Sequence, residues 1–237
     1  MSRFGQILDA LESVHGAQAA QWPTDPYRFL VWWHCGYPPS EERCNRGWHS
    51  LNEEIGVSPE KLLQTPSSRL ARILKTGGMV PELRAGRLKQ IAERVQEQFA
   101  GDLCASLSRL PLNKVRTALK KFPGIGDPGA DRIILFGGIA AVAAVPSSCP
   151  HVPVRIESGA PHEAYNANYR EAREIMQREV AETFAARSRA YLLLHQHGQR
   201  VCKRSRPQCD ACPLTKSCAF FQMTPGTSAR TRKAYPS

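Results

Sequence analysis

Residues 120–136 read Lys-Lys-Phe-Pro-Gly-Ile-Gly-Asp-Pro-Gly-Ala-Asp-Arg-Ile-Ile-Leu-Phe. Just upstream, Leu112, Val115, Leu119 and Phe122 recur at spacings of three and four, the apolar stripe of an amphipathic helix. Pro123-Gly124-Ile125-Gly126 then forces a turn, since both glycines accept a positive φ and let another group approach the backbone closely. Asp127 is expected to cap a second helix, with Pro128 at its first position, where a missing N–H costs nothing. Ile133, Ile134 and Phe136 supply the apolar residues of that helix. The stretch predicts a tight helix-hairpin-helix whose exposed amides offer a seat for a phosphate. An ordinary helical packing unit is the competing reading, and Pro-Gly-x-Gly by itself does not choose between them.

A second stretch narrows the choice. Cys202, Cys209, Cys212 and Cys218 follow the pattern C-x6-C-x2-C-x5-C, preceded by His197-Gly198. Four thiolates in one short loop suit a [4Fe–4S] cube, which spreads its ligands around one centre. Zinc is the alternative, but structural zinc usually takes two short knuckles, and only Cys209 and Cys212 form one. Cys35, Cys44, Cys104 and Cys149 have no ligand spacing and read as ordinary buried thiols.

Composition bounds the partners. The chain has 237 residues, a hydrophobic fraction of 42% and a formal net charge of +11. Its pI is near 9.5 and its mean hydropathy is −0.38. One large or two small domains with a real core fit this length. The positive balance points to a polyanion, with nucleic acid first and a membrane surface second. No basic amphipathic helix or lipidation signal supports the membrane. Residues 2–14 are amphipathic, with Phe4, Ile7, Leu8 and Leu11 on one face, and do not read as a secretory signal. A reducing, cytoplasmic setting is therefore expected.

At these residues the chain resembles the endonuclease III-like family of helix-hairpin-helix (HhH-GPD) DNA glycosylases, iron–sulfur type. Phe122 to Gly126 meet that family's Leu-Pro-Gly-Val-Gly pattern, and His197 to Cys218 meet its His-Gly-x3-Cys start and cluster loop. The resemblance spans about residues 25–220. It implies an all-α fold with a six-helix barrel-like domain at residues 25–141 that carries the hairpin (112–136). Residues 1–24 with 142–222 would form an iron–sulfur cluster domain, and 223–237 a basic tail. It also implies lesion- or mismatch-bearing double-stranded DNA as partner, a monomeric chain, and a [4Fe–4S] cluster on Cys202, Cys209, Cys212 and Cys218. Gly124 and Gly126 would hold a phosphate, and Lys203, Arg204 and Arg206, between the first two cysteines, would touch the DNA backbone. An apolar helix, residues 27–37 with Trp32 and Trp33, borders the base pocket in the family. Here those tryptophans also read as core. Where the family plugs the vacated base stack with a glutamine, this chain has Gly36-Tyr37-Pro38-Pro39, which leaves Tyr37 as a weak wedge.

The family's catalytic pattern is broken in two places. The Schiff-base lysine belongs two residues after the second hairpin glycine, and Pro128 stands there. The carboxylate that stabilises the sugar cation belongs in the next turn, where Pro146 stands, and no Asp or Glu occurs from Arg132 to Ile156. Weak substitutes are Asp131, which also reads as a helix-dipole acid, and His151, which also reads as an ordinary histidine. Ser147 and Ser148 are placed either to orient a water or to cap the next segment. Two functions stay open: a water-using DNA N-glycosylase without an efficient lyase step, and a catalytically silent damage-binding protein on the same scaffold.

Overall fold

The structure, a computed structural model, describes residues 2–38 and 40–223. It divides into two compact units, Ala20–Ile139 and Met1–Ala19 with Ala140–Ser237. The fold is all-α, as the periodicity predicts. Helix α1 (Arg3–His15) opens on the hydroxyl of Ser2, which accepts from Gly5 N. It stops where Gly16 turns the chain at φ 74°.

Eight helices form the unit Ala20–Ile139: α2 (Pro26–His34), α3 (Glu41–Glu54), α4 (Pro59–Gln64), α5 (Ser67–Leu74), α6 (Pro81–Phe99), α7 (Leu103–Ser108), α8 (Leu112–Leu119) and α9 (Asp127–Phe136). Long α6 packs against α2, α4, α5 and α7. Its apolar stripe of Leu88, Ile91 and Val95 is fully buried. Each such side chain contributes about 1.5–3 kcal/mol, an upper bound because the unfolded chain is itself partly collapsed. Arg84 is buried although arginine ordinarily lies at the surface: it is 1% exposed. Its guanidinium donates to the carbonyls of Cys35 (2.7 Å), Leu74 (2.8 Å), Gly78 (2.8 Å) and Met79 (2.9 Å). One cation thereby replaces the hydrogen bonds that the C-terminal carbonyls of a helix lack. Gly77 is obligatory beneath it, since a Cβ there would lie 1.8 Å from the Cys35 oxygen.

The other unit comprises α1, α10 (His151–Glu157), α11 (Tyr165–Glu179), α12 (Phe184–Arg200) and α13 (Ala219–Gln222). Phe4, Ile7, Leu8 and Leu11 of α1 enter one core with Val152, Ile175, Met176, Leu193 and Leu194. Helix α10 is not evident in the proline-rich run 146–161. It forms because Pro150 sits at the N-cap and Pro153 in the first turn, where no intrahelical acceptor is needed. Apart from Met223, the tail expected at 223–237 lies outside the described residues. No helix among the described residues is long and apolar enough to cross a membrane.

Candidate nucleic-acid interface and cysteine centre

The hairpin predicted at 112–136 forms from α8, the turn and α9. Gly124 adopts φ 68°, and a Cβ there would meet His34 Cε1 at 3.3 Å. His34, 3% exposed, lies beneath the turn with Nε2 2.8 Å from the Pro123 carbonyl. A carbonyl only accepts, so Nε2 carries the hydrogen. Burial draws the His34 pKa down to about 4, against a smaller upward pull from the Pro123 bond, so the ring is neutral at pH 7. The amides of Gly124 and Gly126 have no acceptor among the described residues. These donors at the entry to α9 suit an anion.

The cap differs from expectation by one residue. Gly126 is the N-cap of α9 and Asp127 its first residue. The Asp127 carboxylate does not cap, because Lys120 draws it into an ion pair at 2.7 Å. Asp131 is 1% exposed and bound by Arg116 through Nε (2.8 Å) and Nη2 (2.7 Å). This geometry fastens α8 to α9 and turns the carboxylate away from solvent. Arg132, the next residue, lies 3.7 Å from the Trp22 ring, 5.0 Å from Phe29 and 5.6 Å from Trp32. Trp32 is core, 1% exposed, with its indole N–H on Asn45 Oδ1 at 2.7 Å. Trp33 is half-buried and stacks on Phe29.

Tyr37, the wedge candidate, is joined by an apolar loop. Tyr37, Met79, Val80 and Leu83 are 42%, 62%, 41% and 53% exposed. Tyr37 joins this loop through Met79 N→Tyr37 O and Tyr37 N→Gly77 O, both 3.0 Å. Val80 is held at φ 48°, a strained setting for a β-branched residue. The Arg84 clamp on Gly78 and Met79 holds the loop in place. Its sequence signals are the Tyr37 position and Gly77-Gly78 before Met-Val-Pro.

In the other unit, Cys202, Cys209, Cys212 and Cys218 line one cavity with His197, Arg155 and Leu214. Among the described residues no three His, Cys, Asp or Glu groups converge tightly enough for a single ion. Burial pushes the Cys212 thiol up to about 12, the Leu214 amide pulls it down, and repulsion from Cys202, Cys218 and Cys209 adds to the rise. A thiolate at Cys212 is therefore disfavoured here without a compensating cation. Donors already face the sulfurs: Leu214 N to Cys212 Sγ at 3.4 Å and Arg155 Nη1 to Cys202 Sγ at 3.6 Å. His197, 1% exposed, lies 3.6 Å from Cys212 Sγ and 3.2 Å from His15. Gly198 is required by packing, since a Cβ would sit 2.5 Å from that of Cys149. Cys35, Cys44 and Cys149 are buried as expected, whereas Cys104 is only partly so. His151, 5% exposed, is bound to the Cys202 carbonyl at 2.8 Å. Burial above all, opposed by that bond, brings its pKa to about 4.

No protein-family model matches the chain. It is 22% identical to endonuclease III of Thermotoga maritima over 202 residues, 84% of this chain and 85% of the relative. It is 26% identical over 166 residues to a thymine/uracil-DNA glycosylase of Methanothermobacter thermautotrophicus, 69% of this chain and 68% of the relative. The solved structure of a trapped endonuclease III–DNA covalent intermediate superposes with a TM-score of 0.71 at 17% identity, covering 94% of this chain and 99% of that one. The fold is that of the helix-hairpin-helix DNA glycosylases. In sequence the chain is similar to endonuclease III and to a thymine/uracil-DNA glycosylase.

Proposed function

We propose that the chain is a base-excision-repair DNA N-glycosylase that releases a damaged or non-standard base by hydrolysis, without an efficient lyase step. The observation that carries this reading is the hairpin, whose Gly124 and Gly126 amides stand free while neutral His34 props the turn from below. A DNA phosphate is the natural occupant, and Lys203, Arg204 and Arg206 add salt-sensitive charge. The exposed Tyr37–Met79–Val80 tip suits insertion between bases, where an apolar wedge offsets unstacking. The homologues' names and the structural neighbour solved with DNA support the same reading.

Cys202, Cys209, Cys212 and Cys218 would hold a [4Fe–4S] cluster. Their shared cavity, their mutual repulsion and the donors facing Cys202 and Cys212 fit it. Bound there, the group supplies the positive centre that ties the cysteine loop together.

The chain's own catalytic groups are unassigned. Pro128 carries no nucleophile and Pro146 no carboxylate, and Asp131 is engaged by Arg116. These same observations favour the second reading, a silent damage-binding protein. A panel of lesion-bearing duplexes, scored separately for base release and strand cleavage, decides. Release of any base supports the glycosylase, and binding of distorted duplexes without release supports the silent protein.

A further inference from the structure

The Ala140–Ser237 part of the chain contains two adjoining hollows that share His151, Asn168 and Arg204. Their cavity volumes are about 180 and 50 Å³. Their lining is chemically mixed in a definite way. Arg155 is 5% exposed and meets no carboxylate among the described residues: Nη1 donates to the Lys203 carbonyl (2.9 Å) and Nη2 to that of Arg204 (2.7 Å). Its Nε is buried without a partner. The carbonyl bonds from Arg155 also fix the stretch of loop that carries Arg204. Arg155 and Arg204 thus line the larger hollow together with the carboxylate of Glu163, and of the two guanidiniums only that of Arg204 also lines the smaller one. His151 spends its Nε2 hydrogen on the Cys202 carbonyl, so its Nδ1 is a lone-pair acceptor. Tyr165, 37% exposed, is braced parallel to Tyr169 at 11° and 6.3 Å between centroids. Asn168 binds His162 N at 3.0 Å, the His162 carbonyl and the Ala164 carbonyl at 3.2 Å, and so holds the wall of the hollow in shape.

Arg204, the ring acceptor of His151 and the aromatic face of Tyr165 line the smaller hollow together, and these are three elements that recognise a nucleotide. Arginine takes the phosphate, a lone pair takes an amino or hydroxyl donor, and a braced ring stacks the base. We propose that this hollow is a nucleotide-binding site, distinct from the hairpin and lined by residues of the Ala140–Ser237 segment alone. The nucleotide has two possible sources, an unpaired residue in a DNA strand or a free mononucleotide. The hollow's geometry is independent of base release, so the proposal does not depend on the glycosylase reading.

The test uses the full chain with its native metal content. Isothermal titration with dAMP and with inorganic phosphate is compared across wild type, Tyr165→Ala and Arg204→Gln. Tyr165→Ala is expected to weaken dAMP about fivefold or more, the loss of one base–aromatic stack, while leaving phosphate unchanged. Arg204→Gln should weaken both. The source is read from duplexes with and without one bulged adenine. A preference for the bulge that falls with Tyr165→Ala identifies a strand nucleotide. Loss of dAMP binding with the bulge preference intact identifies a free one. The proposal is overturned if dAMP binds all three proteins equally. It is equally overturned if dAMP does not bind and Tyr165→Ala leaves the bulge preference unchanged. Base release scored alongside separates the two readings: nucleotide binding without release sinks only the glycosylase.

Discussion

Arg116 grips the buried carboxylate of Asp131 with two nitrogens, Nε at 2.8 Å and Nη2 at 2.7 Å, across the two helices of the hairpin. Removing one partner of a buried pair leaves the other charge uncompensated, at about 3–5 kcal/mol in full burial. Arg116 is 25% exposed, which moderates the cost. Asp131→Asn should therefore lower unfolding free energy by about 2–3 kcal/mol in denaturant titrations. Single-turnover base release, measured where both proteins are folded, should change less than about threefold. A hundredfold loss there would restore Asp131 as a catalytic group.

His34 makes unit Ala20–Ile139 acid-sensitive. Its folded pKa, near 4, lies below the ordinary histidine value of 6.5. As pH falls through 6.5 the unfolded chain takes up a proton that the folded ring refuses until about 4. Stability is complete above pH 6.5 and declines between 6.5 and 4, by about 2 kcal/mol at pH 5. Thermal melts of wild type and His34→Gln, at pH 7 and pH 5, should show a smaller pH effect in the variant. Equal slopes would remove His34 from this account.

Asp127 places a negative charge at the mouth of the proposed phosphate seat, neutralised by Lys120 at 2.7 Å. Asp127→Asn should tighten non-specific duplex binding roughly two- to fivefold at low salt, with the gain vanishing at high salt. Its effect on stability has the opposite sign and is small, since an acid in a first helical turn favours the dipole. Fluorescence anisotropy across a salt series checks the binding, and a denaturant titration checks the stability. Weaker binding in the variant would show that the phosphate does not seat there.

Protein purified without oxygen should be brown, with about four irons and four inorganic sulfides per chain. Chelation or Cys212→Ser should bleach it and loosen the loop around Lys203 to Arg206, read as faster proteolysis there. Stoichiometric zinc in a colourless anaerobic sample would exclude the cluster.

Pro128 forbids an amine at the start of the second hairpin helix. Borohydride should trap no covalent protein–DNA adduct during turnover, and any product strand should stay intact until heat or alkali. An adduct mapped to Lys120 or Lys121 would reveal a relocated nucleophile.

The sequence by itself determined what depends on near neighbours along the chain. The stripe Phe4, Ile7, Leu8, Leu11 packs as its spacing predicts, and the hairpin turns at Gly124, the one of its two glycines that takes a positive φ. Cysteine spacing, too, is a local property. What only tertiary structure decided are pairings between distant segments, where one side chain meets groups that its own helical register does not specify. Arg84 has the spacing of a surface cation yet is buried, because Cys35, Leu74, Gly78 and Met79 turn four carbonyls toward it. Asp131 reads as a free acid until Arg116, fifteen residues back, closes on it. His151 and Arg155 acquire their roles only when α10 forms and the backbone of Cys202, Lys203 and Arg204 comes to them. Burial then fixes charge state and hydrogen-bond direction, and no pattern of spacing encodes either.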